Sequence, residues 1–344
     1  MKIVNLAKVA LVGFCITSLQ SHAQDVHFSH VEFSPLTLNP AMAGAESPMQ
    51  AIVNYRNQWN SVAVPYSTIA ASFDARFNDK KRMKKGIMAG GLNFFNDRAG
   101  DVRVSTTNIN LNLAYHLILD ETSTLGIGLS TAYGQRSIDP SAGRWGSQYD
   151  GMAYNSGLAS GETFNNPSFG YVDVGAGMVY CFKQGQGYTT QNNNKAFTWG
   201  MAFYHLNRPK FSYIEQEQER LFMRFSTFIN ANFGIKNTRG SVLPGIYYNR
   251  QKKSNEFFYG MYYKYILTEG SKVTGFNKPL SMYIGLFHRW NDAMVAKFML
   301  EFDQYSAGFA YDVNVSSLTE VSRARGGFEV FLRFNMNNGP KGWR

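Results

Sequence analysis

Catalysis and metal binding need particular side chains at particular spacings, and this 344-residue chain offers few of them. It contains no HExxH, no CxxC and no phosphate-binding GxxxxGK[ST] loop. Beyond residue 23 the histidines are His27, His30, His116, His205 and His288, scattered except for the first pair. His27 and His30 could share a metal ion, but no clustered thiolate or carboxylate completes the set that zinc requires. A barrel lipase would need a serine and a histidine together on its outer wall. Strand parity puts His205 and His288 on such a wall, with no nucleophile motif beside either. Gly126 and Gly128 match two positions of a dinucleotide fingerprint, but they lie within an alternating stretch and not at a strand-to-helix turn. The expectation is no catalytic residue, no metal and no cofactor.

Charge in unusual places is the stronger signal. Arg56, Asp74, Arg76, Asp173, Lys264, Arg289, Lys297, Glu301, Asp303, Asp312, Glu329 and Arg333 fall opposite the apolar side chains of the segments that carry them. Facing hydrocarbon, an Arg or Lys would cost ~2–4 kcal/mol at the midplane of a bilayer. Inside a barrel, opposite charges can pair. The pattern therefore predicts ion pairs that hold the wall and whatever fills it, with an ion-selective pore as the alternative. A basic run, Lys80, Lys81, Arg82, Lys84 and Lys85, reads as a solvated turn or as a dock for an acidic partner.

Alternation defines the elements that position these residues. Charged residues are 17% and aromatics 15% of the chain, and mean hydropathy is −0.28. No apolar stretch of about 20 residues, as a membrane-spanning helix needs, occurs after the first twenty-odd positions. The aromatic load excludes a disordered chain, and a single cysteine beyond the leader, Cys181, excludes a disulfide scaffold. Ile109, Leu111, Leu113, Tyr115 and Leu117 oppose Asn108, Asn110, Asn112, Ala114 and His116. Leu125, Ile127, Leu129, Thr131 and Tyr133 oppose Gly126, Gly128, Ser130, Ala132 and Gly134. Period two over ten residues is strand geometry.

About fourteen such segments follow one another, long enough for the ~9–11 residues of a bilayer-spanning strand. They begin near Gln50, Ser67, Gly86, Val102, Ser123, Gly170, Ala196, Phe222, Ser241, Glu256, Leu280, Ala293, Ser306 and Ser322. The count is even, as single-chain bacterial barrels require. Trp59, Tyr115, Tyr133, Trp199, Tyr265 and Trp290 lie near strand ends, where interfacial girdles sit. The expected fold is an all-β transmembrane antiparallel barrel, with an exported soluble β-protein as the alternative.

Four units are expected. Residues 1–23 read as a signal peptide: Lys2 and Lys8, an apolar core from Val9 to Leu19, then Ser21-His22-Ala23. A lipoprotein signal at Cys15 is the competing reading, opposed by the bulky Phe14 before it. Removing the leader lowers the formal charge from +10 to +8. Residues 24–49 do not alternate, carry Pro35, Pro40 and Pro48, and hold enough apolar side chains to favour packing as a plug over dangling. Residues 50–334 form the barrel and 335–344 a tail. With the start of the chain on the periplasmic side, the long connections 137–169 and 208–221 are extracellular. Their candidate binding residues are Trp145, Tyr149, Tyr154, Phe164, Tyr213, Glu215 and Glu217.

The run SPLTLNPAMAG (34–44), followed by Tyr55, Arg56, Gln58 and Trp59, resembles the start of the PorP/SprF family. FHRWNDAMV (287–295), GFAYDVNVSSL (308–318) and GGFEVFLRF (326–334) resemble its C-terminal part. These are outer-membrane proteins of the type IX secretion and gliding system of Bacteroidota. The Asn39-Pro40-Ala41 step is also similar to the hatch of FadL-type barrels, which implies a FadL-like barrel and supports a plug. Asn39, Pro40, Ala41, Gly44, Arg56, Asp312, Glu329 and Arg333 are the expected plug and lumen residues. The resemblance implies a non-enzymatic outer-membrane role: binding the C-terminal sorting domain of a secreted adhesin or other type IX substrate, to assist its export or surface anchoring. Further partners would be periplasmic or outer-membrane type IX components and the lipid bilayer, but no nucleic acid. A FadL-like or porin-like diffusion channel is the alternative.

Overall fold

The computed structural model describes residues 27–59, 64–77, 86–162, 167–185, 192–213, 219–270, 276–316 and 319–336. The signal peptide, the basic run 80–85, Phe164, Glu215, Glu217 and the tail beyond Met336 lie outside the described residues. Fourteen strands are present: β1 (Met49–Gln58), β2 (Tyr66–Arg76), β3 (Gly86–Ala99), β4 (Val104–Ile118), β5 (Ser123–Ser137), β6 (Ser168–Gln184) and β7 (Lys195–Tyr204) in the first half. The second half holds β8 (Arg224–Gly234), β9 (Gly240–Gln251), β10 (Ser254–Thr268), β11 (Leu280–Arg289), β12 (Ala293–Phe302), β13 (Tyr305–Asn314) and β14 (Arg325–Asn335). Each pairs antiparallel with its chain neighbour, and β14 pairs with β1 to close the barrel. Closure leaves no strand edge unpaired, the condition for crossing a bilayer with strands.

All fourteen strands begin within three residues of the positions set by alternation. The largest difference is at β14, because Thr319–Ser322 forms one helical turn and Arg323 and Ala324 take left-handed φ values before the ladder starts. Outward side chains are apolar all round the wall. Ile127 and Leu129 on β5, Leu286 on β11 and Leu332 on β14 are 60–66% exposed. A continuous belt of such surface is unfavourable in water, so the outer face is the lipid face and the fold is a transmembrane barrel.

The inner face is not uniformly polar, as alternation alone suggested. On β3–β6 it carries small or polar residues such as Gly91, Asn112, Gly128 and Gly177, whereas β8–β14 turn Phe228, Tyr247, Phe258, Phe287 and Phe331 inward. Two further expectations are corrected. His205 is buried, not on the outer wall, because it follows the last residue of β7 with a left-handed φ of 59°, which breaks the alternation. Asp303 is not a lumen residue. It sits in the β12–β13 turn with φ 52° and pairs with Lys278 at 2.5 Å.

Residues 27–48 run inside this wall. They form a 3-10 turn at Val31–Phe33, one helical turn at Pro35–Leu38 and a second 3-10 turn at Pro40–Met42. Pro35 and Pro40 start the second and third of these, each at the first position of its turn, where its missing N–H has no bond to make. Phe33, Leu38, Ala41 and Met42 share one apolar core with the inward aromatics of β8–β14. The segment starts beside the late part of β1 and ends beside the late part of β2. It thus traverses the barrel from the end that carries connections 138–167 and 205–223 (the long-loop end) to the end where β1 begins.

Candidate functional site

Three anchors hold the N-terminal segment to the wall. The first is an ionic cluster near the long-loop end. Glu329 accepts from the amides of Ser29 at 2.6 Å and His30 at 3.0 Å. Asp312 accepts from the Ser29 hydroxyl at 2.7 Å, Arg56 at 2.9 Å and Arg289 at 3.2 Å. Arg56 also donates to the His27 carbonyl at 2.5 Å, and Arg289 pairs with Glu256 at 3.1 Å. Opposing charges and backbone dipoles thus satisfy groups that would be costly to bury alone. The cluster brings together Arg56, Asp312 and Glu329, with Ser29, Glu256 and Arg289 completing it.

The second anchor was not legible in advance. Glu32 pairs with Lys297 at 3.1 Å and accepts from the Tyr262 hydroxyl. Burial raises the Glu32 carboxyl, but the Lys297 ammonium and the bonds from His30 and Tyr262 outweigh it and bring it to about 2. Next to it, Phe33 stacks on Phe331 with centroids 3.9 Å apart, and the Arg333 guanidinium lies 4.8 Å from the Phe33 ring. Glu32 lies in a segment without periodicity, so no parity argument could select it.

The third anchor is the Asn39-Pro40-Ala41 step. The Asn39 carboxamide caps its own turn by accepting from the Ala41 amide at 2.9 Å, and donates to the carbonyls of Met178 at 2.8 Å and Met201 at 3.1 Å. Wall glycines make room for it: a Cβ at Gly128 would fall onto the Ala41 backbone, and one at Gly177 onto the Asn39 side chain. Gly128, one of the two fingerprint-like glycines, thus admits a turn of this chain. Gly44, at φ 66°, donates to Asp74 at 2.8 Å and accepts from Arg76 at 2.7 Å before the chain reverses into β1.

The loop candidates form a separate group. Tyr149 and Tyr154 bridge across a tight turn, with Met152 at its tip 92% exposed. Arg144 lies 5.3 Å from the Tyr154 ring, and the Trp145 indole donates to the Pro140 carbonyl at 3.1 Å. Amides of Ala153 and Met152 hold the Asp150 carboxylate below its usual range, as the Ser141 hydroxyl does for Asp139. These local bonds fix the loop backbone and leave its apolar tip outside. Tyr213 does not join them. It packs on Phe169 at 4.9 Å, near Arg136, and burial raises its hydroxyl.

No curated protein matches the chain. Solved structures with a similar course are outer-membrane barrels. One is the TodX monoaromatic hydrocarbon channel deltaS2 mutant, at 9% identity and TM-score 0.48, with 89% of this chain and 94% of that one covered. Another is the P. putida toluene transporter TodX, at 10% and 0.45, with 87% and 93% covered. CdiB from Acinetobacter baumannii aligns at 6% and 0.42 over 84% of this chain, which spans only 60% of that protein. Residues 20–334 match the family described as type IX secretion system membrane protein PorP/SprF. With nearly the whole barrel and its inner segment inside that match, the chain belongs to the PorP/SprF family of type IX secretion membrane proteins and resides in the outer membrane.

Proposed function

We propose that this barrel assists export or surface attachment of a secreted adhesin, or another type IX substrate, by binding its C-terminal sorting domain. The 138–167 loop with its exposed Tyr149, Met152 and Tyr154 would supply the contact, and the N-terminal segment would act as a plug that keeps the lumen shut. The role is non-enzymatic. The observation that carries this reading is the pairing of an occupied lumen with an apolar tip on the longest connection. A filled barrel is poorly suited to solute passage, whereas large exposed apolar side chains suit a protein partner. Long loops of outer-membrane barrels face outward, which puts this tip at the cell surface. Other type IX components in the periplasm or outer membrane are further partners under this reading.

Deleting the gene should abolish surface display of the type IX substrate that this barrel serves. Replacing residues 145–158 with a short Gly-Ser linker should do the same while leaving the barrel folded. Normal display in the deletion strain refutes the reading.

A further inference from the structure

Some cations at the ends of this barrel are matched by carboxylates of a neighbouring turn. Arg103 lies 3.7 Å from Asp139, Arg239 3.8 Å from Glu269 and Lys278 2.5 Å from Asp303. One sector of the long-loop end instead gathers several cations without such a match. Arg208, Arg250, Lys252 and Lys253 are all exposed, and none has a carboxylate of the described residues within 4.0 Å. They converge because the 205–223 connection folds back onto the two-residue β9–β10 turn, where Gln251 donates to the Phe222 carbonyl at 3.2 Å. Lys252 and Arg208 share one exposed ring, 4.3 Å and 5.9 Å from the centre of Phe222. Across residues 205–223 and 250–253, six Lys and Arg stand against three Glu, so the sector is cationic even with every glutamate counted.

Two of these cations sit where the backbone resists them. Lys252 has φ 53° and Arg208 φ 44°, left-handed values that Gly or Asn adopts more easily. Their height on the wall is equally specific. Arg250 points outward, flanked in register by Phe225 and Asn255. The next outward row, about 7 Å further into the wall, is Thr227, Tyr248 and Phe257; the one after it is Ile229, Ile246 and Tyr259. Charge therefore begins where the apolar belt ends.

We infer that this sector binds the phosphate groups of an outer-leaflet glycolipid, with Arg250, Lys252 and Lys253 on the phosphates and the rows headed by Tyr248 and Ile246 against the acyl chains. An Arg guanidinium and Lys ammonium groups at one level suit a phosphorylated headgroup. The rows beneath suit hydrocarbon, which no soluble acidic polypeptide would supply.

The test uses the full-length barrel in nanodiscs of phosphatidylcholine doped with equal amounts of lipid A and phosphatidylglycerol, with the retained lipid quantified by mass spectrometry after washing. Wild type should enrich lipid A over the bulk composition. Each surface cation near a lipid phosphate contributes about a factor of five, so R250E/K252E/K253E should retain at least ~10-fold less. The neutral K252Q/K253Q variant gives the same reading should the triple variant misfold. Dephosphorylated lipid A should not be enriched, and millimolar inorganic phosphate should not displace the lipid. Equal retention by wild type and variants overturns the inference. So does enrichment of phosphatidylglycerol in place of lipid A, release by free phosphate, or a variant that keeps lipid A but loses surface display of an adhesin.

Discussion

Asp312 sits where two guanidinium groups, those of Arg56 and Arg289, and the Ser29 hydroxyl converge, with almost no exposure. Asp312→Ala would leave both cations buried with less counter-charge, a loss of ~3–5 kcal/mol by the usual penalty for breaking a buried pair. The expected readout is a clear drop in the temperature at which the heat-modifiable band of the folded barrel disappears. Glu32 makes a different prediction. Its carboxyl is held at about 2, below its ordinary value near 4.5. A depressed carboxyl adds stability that is complete above the unfolded value and lost as pH falls through the folded one. Anchoring of the segment should therefore weaken between about pH 4.5 and pH 2. Pepsin cleavage near Phe33 and Leu36 should accelerate across that window in wild type, and Glu32→Gln should flatten the acceleration.

The inner segment is the element whose behaviour follows from packing and not from propensity. Its helical pieces are three and four residues long, far below the length at which an isolated helix persists. What holds it is the wall: aromatics from β8–β14 on one side and a glycine-lined cradle on the other. Removing residues 27–48 should leave a folded barrel with a charged, water-filled lumen. In planar bilayers the intact protein should show no steady conductance and the truncated one should conduct. Steady large conductance from the intact protein would instead support the diffusion-channel alternative. Gly128→Leu with Gly177→Leu, which crowd the cradle without shortening the chain, should move the intact protein towards the truncated behaviour.

At the scale of the whole molecule, the barrel separates three tasks in space. The outer belt meets lipid, residues 27–48 lie in the lumen, and the long-loop end carries an exposed apolar tip and a group of exposed cations. Under the proposed function, surface display of a type IX substrate would need all three at once: a wall that inserts, a closed lumen and an exposed loop tip. The linker replacement of residues 145–158 isolates the third. It should abolish display without altering heat-modifiability.

Alternation alone determined the class, the strand number and the starts of the strands to within three residues, because a strand's two faces meet different solvents and each residue records which one. The short motifs at both ends carried the family. Tertiary structure decided everything that depends on contact across the lumen. It showed which inward charges share a cluster, that Glu32 pairs with Lys297, and that the inner wall is aromatic on one side and glycine-lined on the other. It also moved His205 inward and Asp303 into a turn, since a single left-handed residue resets parity and leaves no mark in a pattern of apolar and polar letters. Parity reports the face of a residue, but pairing depends on distances across a closed ring, which become defined only when β14 meets β1.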